Sequence, residues 1–154
     1  MVDHIYFVDF DETLYFNTEY WCDNENAKVD LNIGFTEDYY KTSNLNSSLV
    51  KCLEKLNTED NNIIYLLDTC TNSLASECKA EFVEKELHGL FAKTFFVSSP
   101  QDKLAFIEKM RDTVYANREV NIFLIDDNKE LCAQCQEKSI YAASAGLFCL
   151  THEG

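Results

Sequence analysis

The feature of this sequence that most constrains its fold is the alternation of short apolar runs with segments of helical periodicity. Runs such as "IYFV" at 5–8 and "IFLI" at 122–125 are apolar at successive positions. That pattern is typical of strands buried on both faces, as in parallel sheets. Strand and helix patterns alternate along the chain, which favours helices on both faces of the sheet. We therefore predict an α/β fold: a three-layer, Rossmann-like parallel sheet.

Further strands are predicted at 63–67, in "KTFFVSS" and near the end of "IYAASAGLFCLT". The first predicted helix is capped by Asn46 or Ser47, and the next ones begin at Asn72, at Pro100 and after the strand in "NIFLIDD". Proline suits a first helical position. Helical spacing gives the second and third predicted helices these inward-facing residues: Leu74, Cys78, Phe82 and Leu87, then Leu104, Ile107, Met110 and Val114.

The chain length of 154 residues is typical of a single domain, so we predict one domain over 1–154. Only the segment 14–46 interrupts the alternation. It is too short to hold its own core, and we interpret it as a flap or minimal cap after the first strand. The segment is rich in acidic and aromatic residues, among them Tyr15, Phe16, Tyr20, Trp21, Phe35, Tyr39 and Tyr40.

Composition excludes several classes of function. A net charge of −14 argues against a nucleic-acid partner, because binding to phosphate backbones draws on lysine and arginine. No apolar run is long enough for a membrane span. The seven cysteines have no disulfide-framework spacing, which indicates a reducing, cytoplasmic location. Nothing in the composition fixes the oligomeric state.

Polar residues follow each predicted strand. In an open parallel sheet the carboxyl ends of the strands form one edge, where ligands bind. Carboxylates and hydroxyls from separate strands, with one lysine, therefore meet there. Clustered carboxylates are costly to bury unless a cation compensates them, and an oxygen-only set suits Mg²⁺. The residues are Asp9, Asp11 and Thr13, then Asp68, Thr69 and Thr71, then Lys103, and finally Asp126 and Asp127.

These residues resemble the four motifs of the haloacid dehalogenase (HAD) superfamily of phosphatases. "DFDET" is similar to the first motif, DxDxT, and "IIYLLDTCT" to the second, a strand that ends in Thr or Ser. Lys103 matches the third motif and "IFLIDD" the fourth. The motifs occur in family order between Asp9 and Asp127.

The resemblance implies a role for each acidic residue. Asp9 would be the nucleophile that forms an aspartyl-phosphate, and it would also ligate Mg²⁺. Asp11 would be the general acid and base, with its backbone carbonyl on the metal; crowding by like charges would raise its pKa. Asp126 would be a side-chain metal ligand, and Asp127 a second or water-mediated one.

The resemblance also implies a phosphate-binding pair. Thr69 and Lys103 would hold the transferring phosphoryl group, with the lysine offsetting charge in the transition state. Thr71 is the alternative hydroxyl and Lys93 the alternative amine. Asp68 departs from the apolar residue that the family usually has before this threonine.

The resulting hypothesis is a Mg²⁺-dependent phosphatase. Between Thr71 and Lys103 there is room for only one helix and one strand, so no large cap fits there. The form "DFDET" followed by Leu14 also resembles the capless protein phosphatases of the superfamily. Aromatic residues of 14–46 suggest phosphotyrosine as the substrate. The alternatives are a small-metabolite HAD phosphatase and a non-catalytic HAD-like phosphoprotein-binding module. A response-regulator receiver domain is rejected, because the acidic pair of a receiver follows its first strand, whereas Asp126 and Asp127 follow the fourth predicted strand of this chain.

The charge of 14–46 generates a prediction about substrates. If this acidic segment borders the cleft, a phosphotyrosine peptide with basic flanks should have a higher kcat/KM than one with acidic flanks. The difference should shrink between about 0.02 M and about 0.5 M salt, because rim charges act at long range. Equal efficiencies at low salt would show that the segment folds away from the cleft.

Overall fold

A computed structural model describes residues 2–16, 40 and 42–152. The strands are β1 (His4–Val8), β2 (Asn62–Thr69), β3 (Lys93–Val97), β4 (Asn121–Ile125) and β5 (Tyr141–Ala143). They form one sheet with the spatial order β3-β2-β1-β4-β5, in which each neighbouring pair of strands is parallel. The first strand lies at the centre, the next two are added on one side and the last two on the other, so the switch point lies between β1 and β4.

Helices cover both faces of this sheet. The described helices are α1 (Ser47–Asn57), α2 (Ser73–Glu86), α3 (Pro100–Asp112), α4 (Lys129–Glu137) and α5 (Ala145–His152). Residues of α1, α2 and α5 belong to one buried cluster, and residues of α3 and α4 belong to a second cluster. Among the described residues, no helix has both the length and the apolar character that crossing a membrane requires.

The two clusters follow from the period of two in a strand. On β2, Ile64 and Leu66 pack into the first cluster, while Tyr65 and Leu67 pack into the second. The runs of the three central strands, β1, β2 and β4, are largely apolar because both faces of these strands are buried. The predicted three-layer α/β fold with a parallel sheet is therefore confirmed.

Some local predictions fail. The last strand, β5, lies at the beginning of "IYAASAGLFCLT", and most of that stretch forms α5. The prediction was wrong because β5 and α5 are both short and apolar, and periodicity does not distinguish a strand from a helix in such short apolar segments. Leu74 and Val114 were predicted to face inward, yet they are 53% and 58% exposed. Val114 lies beyond the end of α3, whereas Leu74 occupies the first turn of α2.

The flap prediction for 14–46 concerns mostly residues 17–39 and 41, which lie outside the described residues. Tyr15 and Tyr40 are buried, where they pack with Phe10 and Phe82 in the first cluster. These two rings are therefore part of the core and are not available to contact a substrate. Phe16 is 41% exposed.

Candidate active site

The loop after β1 fixes the first two carboxylates. The backbone N–H of Asp9 donates to the carbonyl of Ile125 (2.9 Å), which ties the loop to β4. The carbonyl of Phe10 then accepts from the N–H groups of Leu14 and Tyr15, and Glu12 adopts a positive φ of 60°. A non-glycine residue in that region is uncommon and marks a tightly constrained turn. The chain thus reverses immediately after β1 and leaves Asp9 buried at the sheet edge.

Lys103 links the carboxylates of β1 and β4. Its Nζ donates to Asp9 Oδ1 and to Asp126 Oδ2, each at 2.7 Å. The Oγ1 of Thr13 donates to the other oxygen of Asp9 (3.1 Å), and the N–H of Asn128 donates to the other oxygen of Asp126 (3.0 Å). Lys103 is buried on α3, beside Ile107, so a lysine on an inward helix face balances two buried acids.

A second lysine plays the same part on the opposite face of the sheet. The Nζ of Lys79, on α2, donates to Asp11 Oδ2 and to Asp68 Oδ2, each at 2.7 Å. Our sequence reasoning did not find Lys79. A signal was present, because Lys79 shares the inward stripe of Cys78 and Phe82, where a lysine requires a buried partner.

Three of the predicted metal ligands lie together. Carboxylate oxygens of Asp9, Asp126 and Asp127 all lie within 4.8 Å of one another. Each carboxylate offers about four lone-pair sites, so the oxygens that bind Lys103 can still bind a cation. The donor set is all oxygen and its geometry is compact, which fits Mg²⁺. The side-chain carboxylate of Asp11 accepts a hydrogen bond from Lys79 instead. Metal binding by the backbone carbonyl of Asp11 stays a prediction.

The four residues considered for phosphate binding lie in different places. Thr69 lines the cleft, and its Oγ1 is buried with no hydrogen-bond partner in the described part of the chain. Thr71 is exposed and does not line the cleft. Lys93 is exposed at the first residue of β3, the strand end away from the cleft. Thr69 and Lys103 are therefore the pair that the fold brings to Asp9.

Burial shifts the protonation of this cluster. Loss of solvent raises the pKa of Asp9 to about 9; Asp126 adds to the rise and Lys103 opposes it. Partial burial and the neighbouring Asp126 also raise the pKa of Asp127. Burial by itself would lower the pKa of the Lys103 amine, but Asp9 and Asp126 raise it above its usual value. Without a cation, the cluster therefore favours retention of a proton.

The site opens as a cleft of about 200 Å³ at the switch point. A larger cavity of about 570 Å³ lies along β5 and α5, but its described lining is mostly apolar and includes neither a carboxylate nor an amine. The chemistry therefore resides in the smaller cleft. Its lining residues are Asp9, Asp11, Glu12, Asp68, Thr69, Pro100, Lys103, Asp126, Asp127, Asn128 and Leu131.

The raised pKa of Asp9 predicts a pH-dependent cost to stability. The folded protein holds a proton on Asp9 up to about pH 9, whereas the unfolded chain releases it near 3.8, so rising pH lowers the free energy of unfolding across that window. In metal-free protein, Asp9→Asn should increase this free energy by at least about 1.4 kcal/mol at pH 8, the equivalent of one pKa unit. The gain should shrink towards pH 5.

Urea denaturation of both proteins at pH 5 and pH 8, in a chelator, measures this difference. Glu54→Gln, which removes an exposed carboxylate from α1, is the matched control and should change neither value. An Asp9→Asn gain that does not vary with pH would contradict the assignment of the buried proton to Asp9.

No protein-family model matches the sequence, and no curated protein sequence is significantly similar to it. Solved structures are similar in fold. A haloacid dehalogenase-like family hydrolase from Streptococcus pneumoniae matches with a TM-score of 0.57 at 16% identity, over 99% of this chain and 91% of that one.

Two chains from structures of the Pnkp1/Rnl/Hen1 complex, one of them described as an RNA repair complex, also match. Their TM-scores are 0.61 and 0.62 at 13% and 16% identity, over 93% of this chain. This chain spans less than half of their length, 46% and 42%. Together with the parallel sheet, these likenesses show that the chain has the fold of the haloacid dehalogenase-like hydrolases.

Proposed function

We propose that this protein is a Mg²⁺-dependent phosphomonoester hydrolase that acts through an aspartyl-phosphate on Asp9. Its substrates in this proposal are phosphorylated proteins. The observation that carries the proposal is the position of Asp9. One of its carboxylate oxygens accepts from Lys103 and the other from Thr13, while Asp126 and Asp127 lie within cation-sharing distance.

The residues divide the chemistry into two steps. In the first, a carboxylate oxygen of Asp9 attacks phosphorus, the bond from phosphorus to the leaving oxygen breaks, and Asp11 gives that oxygen a proton. In the second, a water oxygen attacks phosphorus, Asp11 takes the proton from the water, and the bond to Asp9 breaks. Inorganic phosphate is released and both side chains return to their starting states. The side chain of Asp11 is 42% exposed, so it lies at the cleft mouth where a leaving group departs.

The phosphoryl group would lie between Thr69 and Lys103. The hydroxyl of Thr69 is a buried donor without a partner among the described residues, so a phosphate oxygen would satisfy it. Lys103 is already held within hydrogen-bond distance of Asp9, so its charge would stabilise the anionic transition state without rearrangement. Asp126, in turn, fixes the position of this amine.

The carboxylates of Asp9, Asp126 and Asp127 would hold the metal, with the carbonyl of Asp11. A bound Mg²⁺ supplies charge neutralisation between the Asp9 carboxylate and the phosphoryl oxygens. Asp9, Asp126 and Lys103 keep the site preorganised, because their mutual hydrogen bonds fix the side-chain orientations.

The proposed substrate class is supported by the lack of a cap between Thr71 and Lys103. Between Thr71 and Lys103 the chain forms only α2 and β3, so no cap domain is inserted there. A substrate with its own bulk can exclude water from such a cleft, which favours a phosphoprotein over a small metabolite. The preference for phosphotyrosine rests on aromatic residues at 17–39, outside the described residues.

A phosphorylated nucleic-acid end is the second candidate substrate, because two structural neighbours come from a Pnkp1/Rnl/Hen1 complex. Charge disfavours it: the net charge is −14, and the cleft lining has six carboxylates but only the amine of Lys103, with Lys79 behind it. A panel of phosphotyrosine peptide, phosphoserine peptide, small phosphate ester and oligonucleotides phosphorylated at either end separates the candidates.

The nucleophile is tested by substitution. Asp9→Asn should lower kcat for para-nitrophenyl phosphate by at least about 10³-fold, because the amide cannot form the covalent intermediate. It should also abolish the acid-stable label that hydroxylamine releases after incubation with ³²P-labelled substrate. The Glu54→Gln control should keep both signals. Retained turnover in folded Asp9→Asn protein would refute the mechanism.

The metal is tested by removal and by a binding measurement. We expect no turnover in EDTA and recovery with Mg²⁺, while Ca²⁺, which takes more ligands at longer distances, should support little activity. Isothermal titration should show that Asp126→Asn weakens Mg²⁺ binding by about 10-fold or more. Glu130→Gln, an exposed carboxylate on α4 outside the cleft lining, should bind Mg²⁺ like the unmodified protein. Full activity in the chelator would contradict the proposal.

A further inference from the structure

Lys79 is a buried cation that the proposed chemistry does not use. The residue is 5% exposed and lies on the inward face of α2, where Cys78 and Phe82 are also buried. Its Nζ lies 5.2 Å from the ring centroid of Phe10. Burial of a lysine is costly unless close acceptors compensate its charge. The two carboxylates that Lys79 contacts provide that compensation.

The two carboxylates that Lys79 contacts differ in exposure. The Asp68 side chain is 2% exposed and belongs to β2, so it is fixed by the sheet. The Asp11 side chain is 42% exposed and lies in the loop after β1. Both contacts measure 2.7 Å. Asp68 therefore anchors the amine from the protein interior, and the amine holds a more exposed carboxylate at the mouth of the cleft.

Two lysines thus separate the two acids of the first motif. Lys103, from α3, contacts Asp9, whereas Lys79, from the opposite helix layer, contacts Asp11. Side-chain alternation along β2 places Asp68 on the side of Lys79 and Thr69 on the side of Lys103. The carboxylate of Asp11 is held out of the cluster of Asp9, Asp126 and Asp127.

We propose that Lys79 is the positioning residue of Asp11, with Asp68 as its anchor. The inference rests on the proposed function, since it concerns the acid and base of that reaction. An acid must reach the leaving oxygen, and later the attacking water, from one location. A carboxylate held at 2.7 Å by a fixed amine meets that requirement better than one free to rotate in solvent.

The test uses leaving groups of different basicity. Phenyl phosphate needs proton donation to its leaving oxygen, whereas 2,4-dinitrophenyl phosphate does not. Lys79→Met should lower kcat for phenyl phosphate by about 10²-fold, the scale expected for a misplaced acid. With the dinitrophenyl ester, aspartyl-phosphate should still form rapidly, and its hydrolysis, which needs Asp11 as base, should become limiting. The expected signature is a burst of dinitrophenolate close to one per enzyme.

Two further variants keep the test decisive. Lys79→Met leaves Asp68 buried without its lysine, so the double variant Lys79→Met/Asp68→Asn removes that charge and preserves folding if the single variant unfolds. It should show the same burst and the same dependence on the leaving group. Lys85→Met replaces an exposed lysine on the same helix and should behave like the unmodified protein.

The outcomes are distinguishable. If the unmodified protein hydrolyses neither ester, the proposed function fails and this inference with it. Suppose instead that the unmodified protein is active and that a folded Lys79 variant loses the same fraction of kcat for both esters and shows no burst. Lys79 then has only a structural role, and the inference is overturned. A folded variant with unchanged kinetics overturns it as well.

Discussion

The structure depends on the compensation of carboxylates gathered at one edge of a parallel sheet. Strands β1, β2 and β4 each deliver buried acids to the same place, and acids so close repel one another. Within the described residues, Lys79 and Lys103 provide the compensation, with four contacts of 2.7 Å in total. Each lysine approaches from its own helix layer, so the packing of α2 and α3 on the sheet also determines the geometry of the site.

The two lysines do not fully compensate the buried carboxylates. Asp9 keeps a raised pKa although Lys103 contacts it, because burial and Asp126 outweigh that single amine. A divalent cation at Asp9, Asp126 and Asp127 would complete the balance and ionise Asp9, the proposed nucleophile. Protein stability and cation binding are therefore linked through the same oxygens, as is common where a site has been arranged for function rather than for folding.

The sheet also assigns separate environments to neighbouring residues. Asp68 and Thr69 are adjacent in sequence, but the period of two in β2 sends one to the α2 side and the other to the α3 side. Asp68 therefore acts with Lys79, while the Thr69 hydroxyl opens towards the cleft of Asp9 and Lys103. The departure from the apolar residue that the motif usually has before this threonine gives Lys79 its buried anchor.

The sequence by itself determined the architecture and the acidic edge. Continuous apolar runs and stripes of helical period specify local structure, and parallel strands must end at a common edge. Asp9, Thr69, Lys103, Asp126 and Asp127 could therefore be placed together. It could not determine which acid meets which base. Lys79 lies 68 residues from Asp11 in the chain, and no local pattern encodes that contact. The choice of Lys103 over Lys93, and the short β5 before α5, likewise depended on packing, because tertiary contacts decide where equivalent residues and apolar segments lie.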